Sequence, residues 1–243
     1  MRPTYVPDWS IITDHIPAFA AGLWLTLWLT LVVIALSMVI AVPVAFARMS
    51  RIEIIRWVAQ GYIELFRCTP MLVQLFWIFY ALPALTGIAI PGIPSAIIAL
   101  TLNLTAFMAE AYRSGFQAVP IEQIEAAKVL QLTRFERTMH IILPQALRQQ
   151  LPVILSLNIS MFKDTALVST IAVSDLMFVA QSIAAQNYRS LEPLTAAAVT
   201  YFLIAFPVSL ITSRIERRLL ESGTTSPRGR RRLRQLVPGA RPV

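Results

Sequence analysis

Lys163 and Asp164 stand side by side in a stretch, Gln149 to Thr170, that carries no other charge. Opposite charges among apolar residues suit one of two tasks. They hold each other and their neighbours in a packed interior, or they meet a charged ligand in a wet cavity. At about 100° per residue, Ser156, Ser160, Lys163 and Asp164 fall within an arc of about 100°. Leu155, Ile159, Phe162 and Ala166 fall opposite and suit lipid, while Asn158 and Thr165 share a neighbouring polar position. Gln74, one turn beyond Thr69-Pro70, is a further polar candidate, facing either a pathway or a buried partner. Glu110 and Arg113 are spaced i, i+3, where a local ion pair bracing the next loop is the simplest role. The chain has one cysteine, Cys68, and two distant histidines, His15 and His140. These supply neither an internal disulfide nor a cysteine- or histidine-based metal site. No nucleophile cluster is visible, and no G-x-x-x-x-G-K-[ST] phosphate loop occurs.

A second group of residues reads as a docking device. The block "EAAKVLQLTRFERTMHIILP", Glu125 to Pro144, is charged where its flanks are apolar. Pro120 suits the first turn of a helix, and Glu122 and Glu125 complement that helix's positive end. Ala126, Ala127 and Leu130 then form a small, weakly apolar face. Thr133-Arg134-Phe135-Glu136 matches a capping box, which starts a second helix with Phe135, Met139 and Ile142 on one side. Pro144 is expected to kink or restart the chain where the next apolar stretch begins. From physics alone the block is either a solvated amphipathic loop or a knob whose alanines admit a close partner.

The elements that position these residues follow from where charges are absent. The 243-residue chain is 56% hydrophobic and 14% charged, with a mean hydropathy of +0.64. No charge lies between Ile16 and Ala47, between Cys68 and Ala109, or between Pro193 and Ser213. A helix needs about 20 apolar residues to cross about 30 Å of hydrocarbon. The pattern predicts an all-α polytopic membrane protein of about five spans: Ala18 to Ala47, Ile63 to Leu82, Ser95 to Arg113, Gln149 to Thr170 and Pro193 to Ser213. "RIEIIRWVAQ" reads as an interfacial stretch before the second. The first apolar run lacks the basic start of a cleavable signal and is kept as a span, with Trp24 and Trp28 near its outer end. Arg48, Arg51 and Arg56 follow span one; Lys128, Arg134, Arg137 and Arg148 lie between three and four; nine arginines against two glutamates run from Arg214 to the end. The positive-inside rule then puts the N-terminus outside and the C-terminus in the cytoplasm. This divides the chain into an external segment 1–17, a membrane domain 18–219 containing the cytoplasmic loop 114–147, and a basic tail 220–243 expected to be disordered. Of the net charge of +8, +7 lies from Arg214 to the end, so it suggests anionic lipid rather than nucleic acid.

The order of four motifs adds a family. Glu125-Ala126-Ala127 with Ile141-Ile142-Leu143-Pro144 resembles the "EAA" loop of permease subunits of bacterial ATP-binding cassette importers. "ELFRCTPMLVQLF" (Glu64 to Phe76), "AEAYR" with "VPIEQIEAA", and "FKDTALVS" (Phe162 to Ser169) are similar to segments of the polar amino-acid permeases within it. The resemblance runs from about Gly22 to Leu219, but Gln131, Glu122 and Cys68 stand where the family usually has glycine. It implies a permease that is no enzyme and binds no cofactor itself, with ATP and magnesium held by a separate dimeric ATPase in the cytoplasm. Glu125, Ala126, Ala127, Leu130, Gln131, Thr133 and Arg134 would couple to that ATPase. A second permease, identical or related, would complete the pathway, and a periplasmic binding protein would deliver substrate. The membrane would be the bacterial inner membrane. Opposite charges at Lys163 and Asp164 would suit an amino acid's carboxylate and ammonium without selecting its side chain. Importers of an opine, an ectoine-like compound or a polyamine share the architecture. A secondary transporter typically shows internal repeats, and none is visible here.

Overall fold

In hydrocarbon each backbone N–H and C=O must be bonded within its own segment, so long apolar stretches become helices. The computed structural model describes residues 6–223, and all of its regular elements are helical. After the short α1 (Ser10–Asp14) come α2 (Ile16–Arg48), α3 (Glu53–Cys68), α4 (Met71–Thr86) and α5 (Gly92–Gln117). Then follow α6 (Ile121–Val129), α7 (Phe135–Ile171), α8 (Leu176–Asn187) and α9 (Leu191–Gly223). Helices α2, α5, α7 and α9 are each long and apolar enough to cross a membrane. Helices α3 and α4 pass the same test only as a pair, bent at the break between them, so the described residues hold four such spans, or five with the pair counted as one.

Helix α5 is the axis of the bundle. Of its most apolar window 61% is buried, against 6% for α9, so α9 lies at the edge with its outer face free for lipid or another chain. Ala41 and Ala45 of α2 are buried in one cluster with Ala96, Ala99 and Ala109 of α5, where small side chains let backbones approach. The same economy appears at Gly115. A Cβ there would stand 2.5 Å from Gln150 Cγ and 3.0 Å from the Ala146 carbonyl oxygen, so α5 and α7 meet closely at this end.

Four expectations change. The predicted span Ile63 to Leu82 is not one rod: α3 and α4 meet at 108° across Thr69-Pro70. Pro70 has no N–H and pushes Thr69 out of the helical region, to φ −106°, ψ 142°. The interfacial stretch and the start of span two are one helix, α3. Pro144 neither breaks nor restarts the chain, because α7 runs from Phe135 through to Ile171. A π turn at Thr138–Ile142, closed by the Leu143 N–H on the Thr138 carbonyl, precedes the proline and absorbs its missing donor. Helix α8 is unforeseen. It is too short to cross and packs Leu176 and Ala180 against Phe19 and Leu23 of α2 and against α9. Finally, Phe162 is buried rather than lipid-facing, its ring 5.3 Å from that of Tyr201 on α9. The arginine-rich tail beyond Gly223 lies outside the described residues.

Candidate functional site: a docking helix and a polar face on one long helix

Helix α6 carries Glu122 in its first turn and Lys128 in its last, each matched to the helix dipole. It ends in a Schellman turn: the Gln131 N–H donates to the Lys128 carbonyl (2.9 Å) and the Leu132 N–H to the Ala127 carbonyl (3.1 Å). That turn holds Gln131 at φ +56°, a left-handed position that glycine would occupy without strain. Thr133 and Glu136 close the capping box. The Thr133 N–H and hydroxyl donate to Glu136 Oε2 (2.9 and 2.8 Å), and the Glu136 N–H donates to Thr133 Oγ1 (3.2 Å). Gln145 Nε2 donates to Gln123 Oε1 at 2.6 Å, tying α6 onto α7.

The alanines do not share one face. Ala127 is 1% exposed and turned inward, whereas Glu125, Ala126, Val129 and Leu130 are exposed, Leu130 by 72%. Successive helix positions diverge by about 100°, so Ile124 and Ala127 anchor the helix while Glu122, Ala126, Val129 and Leu130 face outward. The outward surface mixes apolar and acidic residues with no neighbour among the described residues.

Along α7, Ser156, Ser160 and Lys163 are exposed, and Asp164 and Asn158 are half-buried. Thr165 is fully buried, its hydroxyl donating to the Phe162 carbonyl at 2.7 Å. Among the described residues no ion pair includes Lys163 or Asp164, because adjacent helical side chains point apart. Asn158 Oδ1 is buried without a hydrogen-bond partner. Glu110 and Arg113 pair with each other, Arg113 Nε donating to Glu110 Oε2 at 2.9 Å, so they are not partners of the α7 charges. The structure thus leaves a polar, charge-bearing face on a helix continuous with the docking block.

Gln74 is buried, and its amide is bonded to Phe66, Thr69 and Asn103 at the bend of the second span. Asn103 and two buried carboxylates were not singled out from sequence. Asp175 is 0% exposed and caps α8, accepting from the Phe178 N–H (2.9 Å) and the Tyr201 hydroxyl (3.3 Å). Burial pushes its carboxyl up to about 6, against the lowering effect of those hydrogen bonds. Its place before the apolar "LMFVA" was the available signal. Glu192, also fully buried, accepts from Arg189 (3.1 Å) and from the Asp8 N–H (2.8 Å), so it ties the N-terminal segment to α9. No sequence pattern announces such a long-range contact. Among the described residues no group of histidine, cysteine, aspartate and glutamate could hold a metal ion.

A bent five-span bundle, a helix–turn–helix block continuous with one span, and charges on that span together define a transport permease. The comparisons agree. Residues 37–221 match the family described as binding-protein-dependent transport system inner membrane component. The L-cystine transport system permease TcyB of Bacillus subtilis (strain 168) is 38% identical, over 89% of this chain and 92% of its own. The glutamine transport system permease GlnP of Escherichia coli (strain K12) is 37% identical, over 87% and 97%. A crystal structure of an amino acid ABC transporter with histidines superposes with a TM-score of 0.83 at 36% identity, covering 88% of this chain and all of that one. This chain belongs to the family of binding-protein-dependent transport system inner membrane components. It is a multi-pass permease of the inner membrane, a transport component and not an enzyme.

Proposed function

We propose that this permease carries polar amino acids, or close analogues, into the cell as one subunit of an ATP-driven importer. A binding protein outside the membrane delivers the substrate, and two permeases, identical or related, form the pathway. A dimeric ATPase binds ATP and magnesium in the cytoplasm, and this chain holds no cofactor. The relatives named for cystine and glutamine support the substrate class. The observation that carries the mechanism is the continuity of α7: its first turns lie beside α6, and its far end bears Lys163 and Asp164.

On this reading, Val129, Leu130 and Ala126 seat α6 in a cleft of the ATPase, with Glu122 and Glu125 setting register. Gln131 and Thr133 shape the turn that joins α6 to α7. A displacement of α6 then moves α7, a continuous helix of 37 residues whose π turn and Pro152 are the places where it can flex. Lys163 and Asp164, unpaired with each other, meet the zwitterion's carboxylate and ammonium. Ser156 and Ser160 offer neutral hydrogen bonds along the same face, and Asn158, whose buried Oδ1 has no partner, lies on another side of the helix. The decisive experiment is transport by the reconstituted complex, with its ATPase and binding protein, across a panel of radiolabelled solutes. Uptake of polar amino acids supports the reading. Uptake confined to an opine, an ectoine-like compound or a polyamine overturns its substrate class, and uptake without ATP overturns the class of transporter.

A further inference from the structure

A break at Thr69-Pro70 should leave carbonyls of the last turn of α3 without helical donors. Two side-chain amides supply them. Gln74 Nε2 donates to the Phe66 carbonyl (2.9 Å), the Thr69 carbonyl (3.0 Å) and Thr69 Oγ1 (2.6 Å). Asn103 Nδ2 donates to the same Phe66 carbonyl (3.1 Å) and to Gln74 Oε1 (2.9 Å). Both amides are buried. Gln74 belongs to α4 and Phe66 to α3, while Asn103 belongs to α5, the most buried span. The angle between the two half-helices is therefore referred to the fixed axis of the bundle.

Two further features surround this relay. A cavity of about 430 Å³ lies between the halves and α5, lined by Leu65 and Phe66, by Val73, Trp77 and Ile78, and by Ile98 among others. It opens to the surface, where Leu65, Val73 and Trp77 are exposed, so it leaves room beside the half-helix. Within α4 itself, Trp77–Ala81 forms a π turn, closed by the Leu82 N–H on the Trp77 carbonyl. Such turns permit a change of register inside a helix. One half-helix thus has a proline pivot, room beside it and an adjustable segment, and the amides hold it in place.

We propose that Gln74 and Asn103 form a latch on the second span, and that α4 swings about Thr69-Pro70 into the adjoining cavity when the latch opens during transport. Only the final clause rests on the transport reading above. Gln74 then acts as a positioning residue rather than a ligand contact. Opening the latch re-aims Glu64 and Arg67, exposed charges on the last turns of α3, relative to α4.

Cys68, the chain's single cysteine, lies at the pivot and is replaced by serine, and the first spin label goes on Ile54→Cys, an exposed site near the start of α3. The second label goes on Leu85→Cys, an exposed site on α4. Distances are read in the assembled complex in nanodiscs, with and without ATP, vanadate and liganded binding protein. Protein labelled at Ile54→Cys alone, and at Leu85→Cys alone, identifies distances between subunits. The wild-type distance should change between these states. Each intramembrane side-chain hydrogen bond shifts an equilibrium about threefold, so Asn103→Leu, which removes two, should broaden the resting distribution and slow transport about tenfold. Thr69→Val removes one acceptor of the Gln74 amide, together with the hydroxyl's own local bond to the Leu65 carbonyl in α3, with little change of shape. Its loss from the latch should give about a third of that effect, which keeps the test open if Asn103→Leu assembles poorly. Ile98→Trp, which fills the cavity, should pin the distance in every state and stop transport in a fully assembled complex. A wild-type distance that never changes overturns the swing, and resting distributions of Asn103→Leu and Thr69→Val matching wild type overturn the latch. Distances that behave as expected in a complex moving no amino acid uphold the latch and count against the transport reading alone.

Discussion

Asp164 is half-buried and has no salt-bridge partner among the described residues, so its carboxylate is available to an incoming cation. Asp164→Asn keeps size and hydrogen bonding while removing the charge. Loss of a charge-assisted contact costs about 1.5–3 kcal/mol, so transport should fall roughly tenfold to a hundredfold while the amount of assembled complex is unchanged. The double mutant Lys163→Met, Asp164→Leu should assemble and remain inactive; recovered uptake there would sink the ligand role. Asp175 makes a different prediction. Its carboxyl is raised from 3.8 to about 6 by burial, so between those values the folded state holds a proton that the unfolded chain has released. Its contribution to stability is therefore full below pH 4 and lost as pH rises through about 6. Asp175→Asn, which still caps α8, should flatten the change in Tm between pH 5 and 7.5 by a few degrees. An unaltered profile would show that another group sets it.

Element geometry decides which residues of the docking block can be reached. An alanine pair next to a glutamate suggests one smooth face, yet α6 turns Ala127 in and Ala126 out. Leu130→Asp should leave the permease inserted and folded while its ATPase dissociates or loses stimulation by substrate. Ala127→Trp should instead disorder the block itself, since overpacking costs about 1–3 kcal/mol, and should raise its protease sensitivity before any partner is added. If Leu130→Asp couples normally, α6 is not the docking helix. The turn behind it offers a gain. Gln131→Gly relieves a left-handed residue and should stabilise the block by about 1 kcal/mol or less, measured by hydrogen exchange of the Leu132 amide.

At the scale of the molecule, the positive-inside rule predicts, from the arginines after α2, the cations from Lys128 to Arg148 and the arginines from Arg214 onward, that the block Glu125 to Pro144 and the C-terminus share one side of the membrane. A phosphatase active only outside the cytoplasm, fused after Leu219, should be silent, and the same enzyme fused at Gly87 between α4 and α5 should be active. Activity at Leu219 would overturn the count of crossings. The other spans pack about a buried α5, and the exposed outer face of α9 leaves room at the edge for the second permease proposed above.

The membrane class, the four to five apolar helices and the helix–turn–helix at Glu125 to Pro144 were legible in the residues alone. Hydrocarbon imposes a length and a polarity on every span, and caps such as Thr133 with Glu136 are local contacts written within four residues. The angle at Thr69-Pro70 was not legible, because proline states only that a helix breaks there; the clamp that sets the bend comes from Asn103, distant in sequence. Helix α8 was half-signalled by its cap, yet its burial depends on α2 and α9. The polar stripe of α7 was correctly placed on one arc, but whether its opposite side met lipid or protein was decided by where α9 packs, and Phe162 is buried for that reason. Sequence determined what each segment must be, since those requirements act within a turn or a span. Tertiary structure decided which faces meet, because that depends on contacts between residues far apart in the chain.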